Sequence, residues 1–391
     1  MTSRTRIIVM AISAPVIAFA IVGGFLGRVM AGADNPAFQS LKIFGDVVDL
    51  IRSSYVEDVN VDKVMKGAMH GLADGLDPDS AYLTADQVKQ VESGAAAPSG
   101  GVGLELTRQY YLRVIAARDG SPAAKAGLQT GDYIRMINQS ATRDMSVWEG
   151  MRALRGAPGT KVSLTVIRGN AQDPHVIDLT REAETIGQVT GRVAAPGVGY
   201  IRIPAVSGAT ATQVKSHVAD LAKGGADKLV IDIRRVSTGA MDDGIALARL
   251  FVGSGTLAIR EAKGGVKENV TAASGDGAIT QPVALLVDTG TSGAAELFAS
   301  ALAGNKRADL IGEHTIGRAA LQKLVKLPDG SGLWLSTIRF LTPAGTPLHE
   351  KGLEPTVAVD EPEPTEFGAP RPAADPILDK ALERLGQKKA A

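Results

Sequence analysis

A chain of 391 residues with 42 basic and 42 acidic side chains has no net field to hold nucleic acid or an anionic membrane over a broad face. At roughly 100 to 200 residues per domain it should form two or three folded units. With no cysteine, disulfides, thiolate metal sites and a cysteine nucleophile are excluded. His70, His175, His217, His314 and His349 stand apart without an HExxH-type pair, which argues against a zinc hydrolase and reads as scattered surface or loop residues. No metal or other cofactor is expected.

Arg4 and Arg6 precede an apolar run from Ile7 to Leu26, the pattern of a segment addressed to a membrane. The run is about the ~20 residues needed to cross a bilayer, so residues 1–33 read as a retained signal anchor. Ala31-Gly32-Ala33 would also serve as a signal-peptide cleavage site. In either case the positive-inside bias sends everything after Asp34 to the far side, anchored in an inner membrane facing the periplasm or secreted there.

Residues 34–99 read as a helical module. Phe44, Val47, Val48, Ile51 and Tyr55, then Val64, Met65, Met69 and Leu72, recur at helical spacing, and a third short helix is expected near Ala85 after the Leu76-Asp77-Pro78 turn. The small, polar stretch Ser93–Gly100 reads as a linker. Short strands and turn residues follow: Gly101-Val102-Gly103-Leu104-Glu105-Leu106, Gly120-Ser121-Pro122-Ala123, Ala126-Gly127-Leu128 and Gly131-Asp132. A glycine-flanked loop entering a strand offers backbone N–H groups to a terminal carboxylate, and an extended peptide can add to the sheet edge beside it. The helix Ser146–Leu154 would form the other wall, before the strand Lys161–Arg168.

After Arg181 strands alternate with helices, the signature of an α/β layer. Strands are expected at Val198–Ile203, Lys228–Ile233, Pro282–Val287 and Ala308–Ile311, with helices at Ala209–Lys223, Asp242–Phe251 and Ala294–Ala303. A hairpin should follow, Gln322–Leu327 with Gly332–Phe340, turning at Asp329-Gly330. Residues 361–391 read as a proline- and acid-rich tail ending in a helix, Asp375–Leu385, whose apolar face should dock on the body or on a second copy.

Residues 100–183 resemble a PDZ domain on the landmarks given above, and Gly101, Val102, Gly103 and Leu104 are then its peptide-binding loop. From the YVEDV and LDPDSAYL segments to Gly352-Leu353-Glu354-Pro355-Thr356-Val357-Ala358-Val359-Asp360, the chain resembles the C-terminal processing peptidases. The resemblance implies an α/β (α+β) multidomain architecture: the helical module, the PDZ domain and a ClpP/crotonase-like serine-peptidase core over 184–360. In that family a serine lies in a segment spelled TASASE, a lysine acts as its base in TFGKG, and a glutamine four places later orients the lysine.

This chain has Thr291-Ser292-Gly293-Ala294-Ala295-Glu296 and Thr315-Ile316-Gly317-Arg318-Ala319 at the corresponding places. Gly293 falls at the nucleophile position and Arg318 at the base position, with the family's spacing of 25 between them, while Gln322 is retained. Glycine has no hydroxyl, and a guanidinium, with a pKa above about 12, takes up no proton. The family's DLRxNPGG becomes Asp232-Ile233-Arg234-Arg235-Val236-Ser237-Thr238-Gly239, which changes the turn that the resemblance assigns to the oxyanion, Thr238 and Gly239 together with Ala294.

Ser292, one place early, is the weak alternative nucleophile, since a one-residue shift turns a helical side chain by about 100°. Lys306 and Lys323, the nearest lysines, read as solvated. Thr291 or Ser292 would also suit a helix N-cap, and Arg318 an ion pair with Glu296 or Glu313, or a peptide carboxylate in the cleft.

The resemblance implies a serine-type peptidase family member without its chemistry, binding C-terminal tails of envelope proteins as a scaffold or regulator of proteolysis. An active endopeptidase that removes such tails is the alternative. Implied partners are those tails, a tetratricopeptide lipoprotein adaptor, cell-wall hydrolases, an active paralogue or further copies of the chain, and no nucleic acid.

Overall fold

The computed structural model describes residues 36–94, 98–169, 173–185, 187–361, 367 and 374–387, and the apolar run 7–26 lies outside them. No helix among the described residues is long and apolar enough to cross a membrane. The chain divides into two compact units, Met1–Met69 and His70–Ala391. The first holds the helix Pro36–Ser54 and the start of Val61–Asp74, the two amphipathic helices expected there.

The division falls at Met69 and not at residue 99, because the strand Ala81–Leu83 pairs antiparallel with Gly332–Trp334 of the larger unit. Thr84 caps the following helix, Ala85–Glu92: its hydroxyl accepts from Gln87 N and the Gln87 side chain accepts from Thr84 N. Val88 of that helix is buried with Ala81 and Leu83, against Leu324 and Trp334.

Within the larger unit, residues 100–183 close on themselves as a five-strand ladder ordered Leu104–Gln109, Tyr111–Ala117, Tyr133–Ile137, Lys161–Ile167, His175–Thr180. The ends meet where Gly100 and Gly101 pair with Ala183 and Glu182. Alternation along Lys161–Ile167 puts Val162, Leu164 and Val166 inside, the period of two expected of a half-buried strand. The helix Val147–Leu154 starts at Ser146, whose hydroxyl accepts from Glu149 N at 3.2 Å while Glu149 Oε2 accepts from Ser146 N at 2.9 Å. Arg168 and Asp132 form a buried fork, 2.7 and 2.8 Å, that ties the last strands to the Gly131-Asp132 turn.

The peptidase-like layer is a six-stranded sheet ordered Thr190–Ala195, Val198–Arg202, Lys228–Asp232, Val283–Val287, Ala308–Gly312, Val357–Ala358, parallel after its first pair. Parallel strands covered on both faces are apolar throughout, as every buried position of Val283–Val287 illustrates. The helices Thr210–Lys223, Met241–Ala248 and Ala294–Gly304 supply one cover, sharing a core with Ile231, Leu285 and Phe298. The other cover is the helix Pro376–Gln387, so the C-terminal helix docks on the body, burying Ile377, Ala381 and Leu385 against Val230, Leu286 and Ile311. Each large aliphatic buried this way stabilises by about 1.5–3 kcal/mol.

Its docking has a polar counterpart. Asp375, just before that helix, accepts from Arg234 Nη1 at 2.9 Å and Nη2 at 2.8 Å, and Arg234 also forks onto Asp232. Asp232 further accepts from Tyr200 OH at 2.7 Å and from Arg202 Nη1 at 3.4 Å. A second sheet runs Ala81–Leu83, Gly332–Leu341, Thr256–Ala262, Val266–Thr271, with Ala320–Lys326 forming the expected hairpin on Gly332–Leu341. The hairpin Thr256–Ala262/Val266–Thr271 was not expected, since Lys, Glu and Asn at 267–269 hide its alternation.

Candidate active-site cleft

Three strand ends, at Asp232, Val287 and Gly312, lead into the loops that surround Gly293. After Val283–Val287 the chain turns through Asp288, whose N–H donates to Thr291 Oγ1, and the Thr291 hydroxyl lies 3.0 Å from both the Ile233 carbonyl and Asp288 Oδ1. Asp288 also accepts from Arg235 N at 2.8 Å, and burial pushes its carboxyl up to about 6 against the pull of Arg235. This clamp sets the Lys228–Asp232 and Val283–Val287 loops side by side. Thr291 therefore braces the loop and does not cap the helix.

Gly293 is the N-cap of Ala294–Gly304, without a side-chain cap, at φ 61° and ψ −122°. That region is open to glycine and strained for other residues. A side chain's first carbon placed there would lie 3.7 Å from the Arg318 carbonyl, 3.8 Å from Met241 Cε and 4.0 Å from the Ser237 carbonyl, all ordinary contacts. Positions 293 and 318, distant in sequence, are thus neighbours. Ser292 is buried, its N–H donates to the Val236 carbonyl, and its hydroxyl has no partner among the described residues.

Glu296, in the first turn of the helix, fixes the loop that carries Arg318. Its carboxylate accepts from Gly317 N at 2.8 Å, Arg318 N at 2.9 Å, the Thr315 hydroxyl and Gly293 N. Full burial raises its pKa to about 7, against those four donors. The expected ion pair of Arg318 with Glu296 or Glu313 is not formed: Glu296 holds only the backbone N–H of residue 318.

The Arg318 guanidinium goes elsewhere. Nε and Nη2 donate to the two oxygens of Asp79, 3.1 and 2.6 Å, and Nη1 donates to the Leu106 carbonyl at 3.1 Å. Burial disfavours its charge, but Asp79 outweighs that and leaves the group still harder to deprotonate than a free arginine. Asp79 was not singled out in the sequence. Its signal is the Asp77-Pro78-Asp79-Ser80 turn, in which Asp77 Oδ1 accepts from the N–H groups of both Asp79 and Ser80.

Gln322 lies on Ala320–Lys326 and donates to Ser336 Oγ at 3.2 Å, not to residue 318. Lys323 is exposed and Lys306 sits in the left-handed turn after the helix, as solvated lysines would. Thr238 and Gly239, expected at the oxyanion turn, line a cavity of about 400 Å³ with Glu105, Arg118, Arg155 and Asp243. Gly239 adopts φ 128°, and a first side-chain carbon there would stand 2.4 Å from the Val206 carbonyl. Burial raises the Glu105 pKa although Arg318 and Arg118 are near.

Gly101, Val102, Gly103 and Leu104 are all buried; Val102 and Gly103 accept from Ala123 N and Arg118 N through their carbonyls. Of the histidines, His349 departs from the surface expectation: it is 8% exposed, lines a 580 Å³ cavity beside Asp77 and Ser336, and neither ring nitrogen has a hydrogen-bond partner among the described residues. No group of three or more metal-ligating side chains occurs among the described residues.

The model of peptidase family S41 matches residues 197–359, and that of a PDZ domain matches 113–168. The carboxy-terminal processing protease CtpA of Bacillus subtilis is 31% identical over 343 residues, covering 86% of this chain and 72% of that protein. The carboxyl-terminal-processing protease of Synechocystis sp. is 31% identical over 322 residues, covering 80% and 75%. The chain belongs to the C-terminal processing protease family.

Another family member, the carboxy-terminal-processing protease of Bartonella bacilliformis, is 29% identical over 85% of this chain and 78% of its own length. The solved photosystem II D1 C-terminal processing protease superposes with a TM-score of 0.68 at 27% identity, covering 89% of this chain and 97% of that one. The C-terminal processing protease fold accounts for the joining of a PDZ ladder to the parallel sheet.

Proposed function

We infer that this chain is a pseudo-peptidase of its family: it binds the C-terminal tails of envelope proteins along the PDZ edge and the cleft and does not cut them, serving as a scaffold or regulator of proteolysis. The observation that carries this reading is the pairing of Gly293 with Arg318. The first supplies no attacking oxygen, and the second, held by Asp79, supplies no proton acceptor. Family partners and the apolar run 7–26 favour work at an envelope membrane, anchored or released into the periplasm.

The relatives' names favour a second reading, an active endopeptidase using Ser292. Against it stand the burial of Ser292 and a hydroxyl without a base beside it. Incubation of the purified chain with casein and with a tailed peptide separates the two: hydrolysis should be no faster than in Ser292→Ala. Cleavage by the wild type that disappears in Ser292→Ala overturns the inference. A side chain at 293 meets only ordinary contacts at a backbone strain of roughly 1–3 kcal/mol, so Gly293→Ser with Arg318→Lys should fold, and tail hydrolysis by the double variant but by neither single one would show that the rest of the cleft is intact.

A further inference from the structure

The strand Leu104–Gln109 ends its ladder, so one of its edges has no strand beside it. Leu106 stands opposite Val114, and Val114 spends its N–H on Asp132 O and its carbonyl on Gly131 N, both 2.8 Å and both on its far side. Leu106 and Val114 therefore form a non-bonded antiparallel pair, and the N–H and carbonyl of Leu106 point out to the open edge. The helix Val147–Leu154 packs along that strand: a carbon added at Gly150 would lie 3.5 Å from Leu106 Cδ1. An extended peptide entering between strand and helix must use the Leu106 carbonyl as one of its ladder acceptors.

That acceptor is occupied. Arg318 Nη1 donates to it at 3.1 Å while the rest of the same guanidinium is forked onto Asp79. The side chains of the pair are 22% and 8% exposed, so water competes weakly for either contact. One planar group thus ties together the turn before Ala81–Leu83, the open PDZ edge and the loop held by Glu296. A lysine ammonium, a point donor without the rigid fork, does not span Asp79 and Leu106 with the same geometry.

We propose that Arg318 is a latch on the peptide edge: it holds the PDZ groove shut by capping the Leu106 carbonyl, and a C-terminal tail opens the groove by displacing the guanidinium. The latch rests on the tail-binding reading and adds its regulation. Tail affinity is then set by the contest between the incoming strand and Arg318, and release of the arginine loosens the 315–319 loop beside Gly293. In this chain the residue at the base position controls access.

The test uses the full chain and a short fluorescent peptide with an apolar last residue and a free carboxylate, with its amidated form as control. Anisotropy titration should show binding about tenfold tighter to Arg318→Gln than to wild type, the scale of one charge-assisted hydrogen bond no longer displaced. Asp79→Asn/Arg318→Gln should bind as tightly as the single variant, and because it leaves no unpaired buried carboxylate it serves even where Arg318→Gln fails to fold. Amide hydrogen exchange over 315–319 should rise when wild type takes up the peptide, a change that a merely structural arginine would not give. Equal affinities with unchanged exchange overturn the latch and leave tail binding standing. Equal binding of free and amidated peptide, or none by any variant, overturns tail-carboxylate recognition and the latch with it.

Discussion

Replacing Asp232 by asparagine keeps the side chain's size and removes the one charge that two arginines share. Asp232 is 2% exposed, and it accepts from Arg234 Nη2 at 2.7 Å, Arg234 Nε at 3.1 Å, Tyr200 OH at 2.7 Å and Arg202 Nη1 at 3.4 Å. Breaking a buried pair by removing one partner costs about 3–5 kcal/mol. Arg234 keeps Asp375 and Arg202 keeps Asp119, so the lower end, about 3 kcal/mol, is expected. At about 2–4 °C per kcal/mol this lowers the melting temperature by roughly 6–12 °C.

Burial alone would raise the Asp232 pKa, but Arg202 and Arg234 outweigh it and hold the carboxyl well below the usual carboxylate range. A depressed folded pKa means that the native state binds fewer protons than the unfolded one, so the stabilisation is complete above the unfolded value of about 3.9 and is lost as pH falls through the folded one. Urea unfolding of wild type and Asp232→Asn should therefore show a constant gap from pH 8 down to about 5, closing only in strong acid. A gap under about 1 kcal/mol at pH 7, or one that already shrinks above pH 5, would refute the reasoning.

Gly239→Ala should destabilise by about 2–4 kcal/mol, measured by thermal unfolding, because the new carbon meets the Val206 carbonyl at 2.4 Å and φ 128° disfavours any side chain. Ser146→Ala removes the cap of Val147–Leu154 and should cost about 1 kcal/mol by denaturant titration, with no effect on the parallel sheet's amide exchange.

Most of the architecture was legible because it rests on local patterns. The apolar runs at 228–233 and 283–287 read as strands within a residue of the observed bounds, and the helices after them read as Asp242–Phe251 and Ala294–Ala303 against Met241–Ala248 and Ala294–Gly304 observed. The helix start expected at Ser146 is the observed one, and its capping box with Glu149 fixes it there. What the sequence hid is pairing across distance. Ala81–Leu83 is only three residues long and becomes a strand through Gly332–Trp334, so the helical module appeared separate at residue 99. Asp79 and Arg318 lie 239 residues apart, and nothing in either neighbourhood names the other. The same holds for Arg234 with Asp375, which seats the last helix on the body. Thr291 looked like a helix cap because threonine often is one, but the Ile233 carbonyl, brought near by the sheet, took its hydroxyl.

The backbone at Gly293 bends to a left-handed φ of 61° and leaves room for a side chain. A serine in that bend would carry strain of roughly 1–3 kcal/mol, which glycine avoids. Placing a hydroxyl there is therefore uphill in stability, so a Gly293→Ser variant starts from a less stable loop whatever stands at position 318.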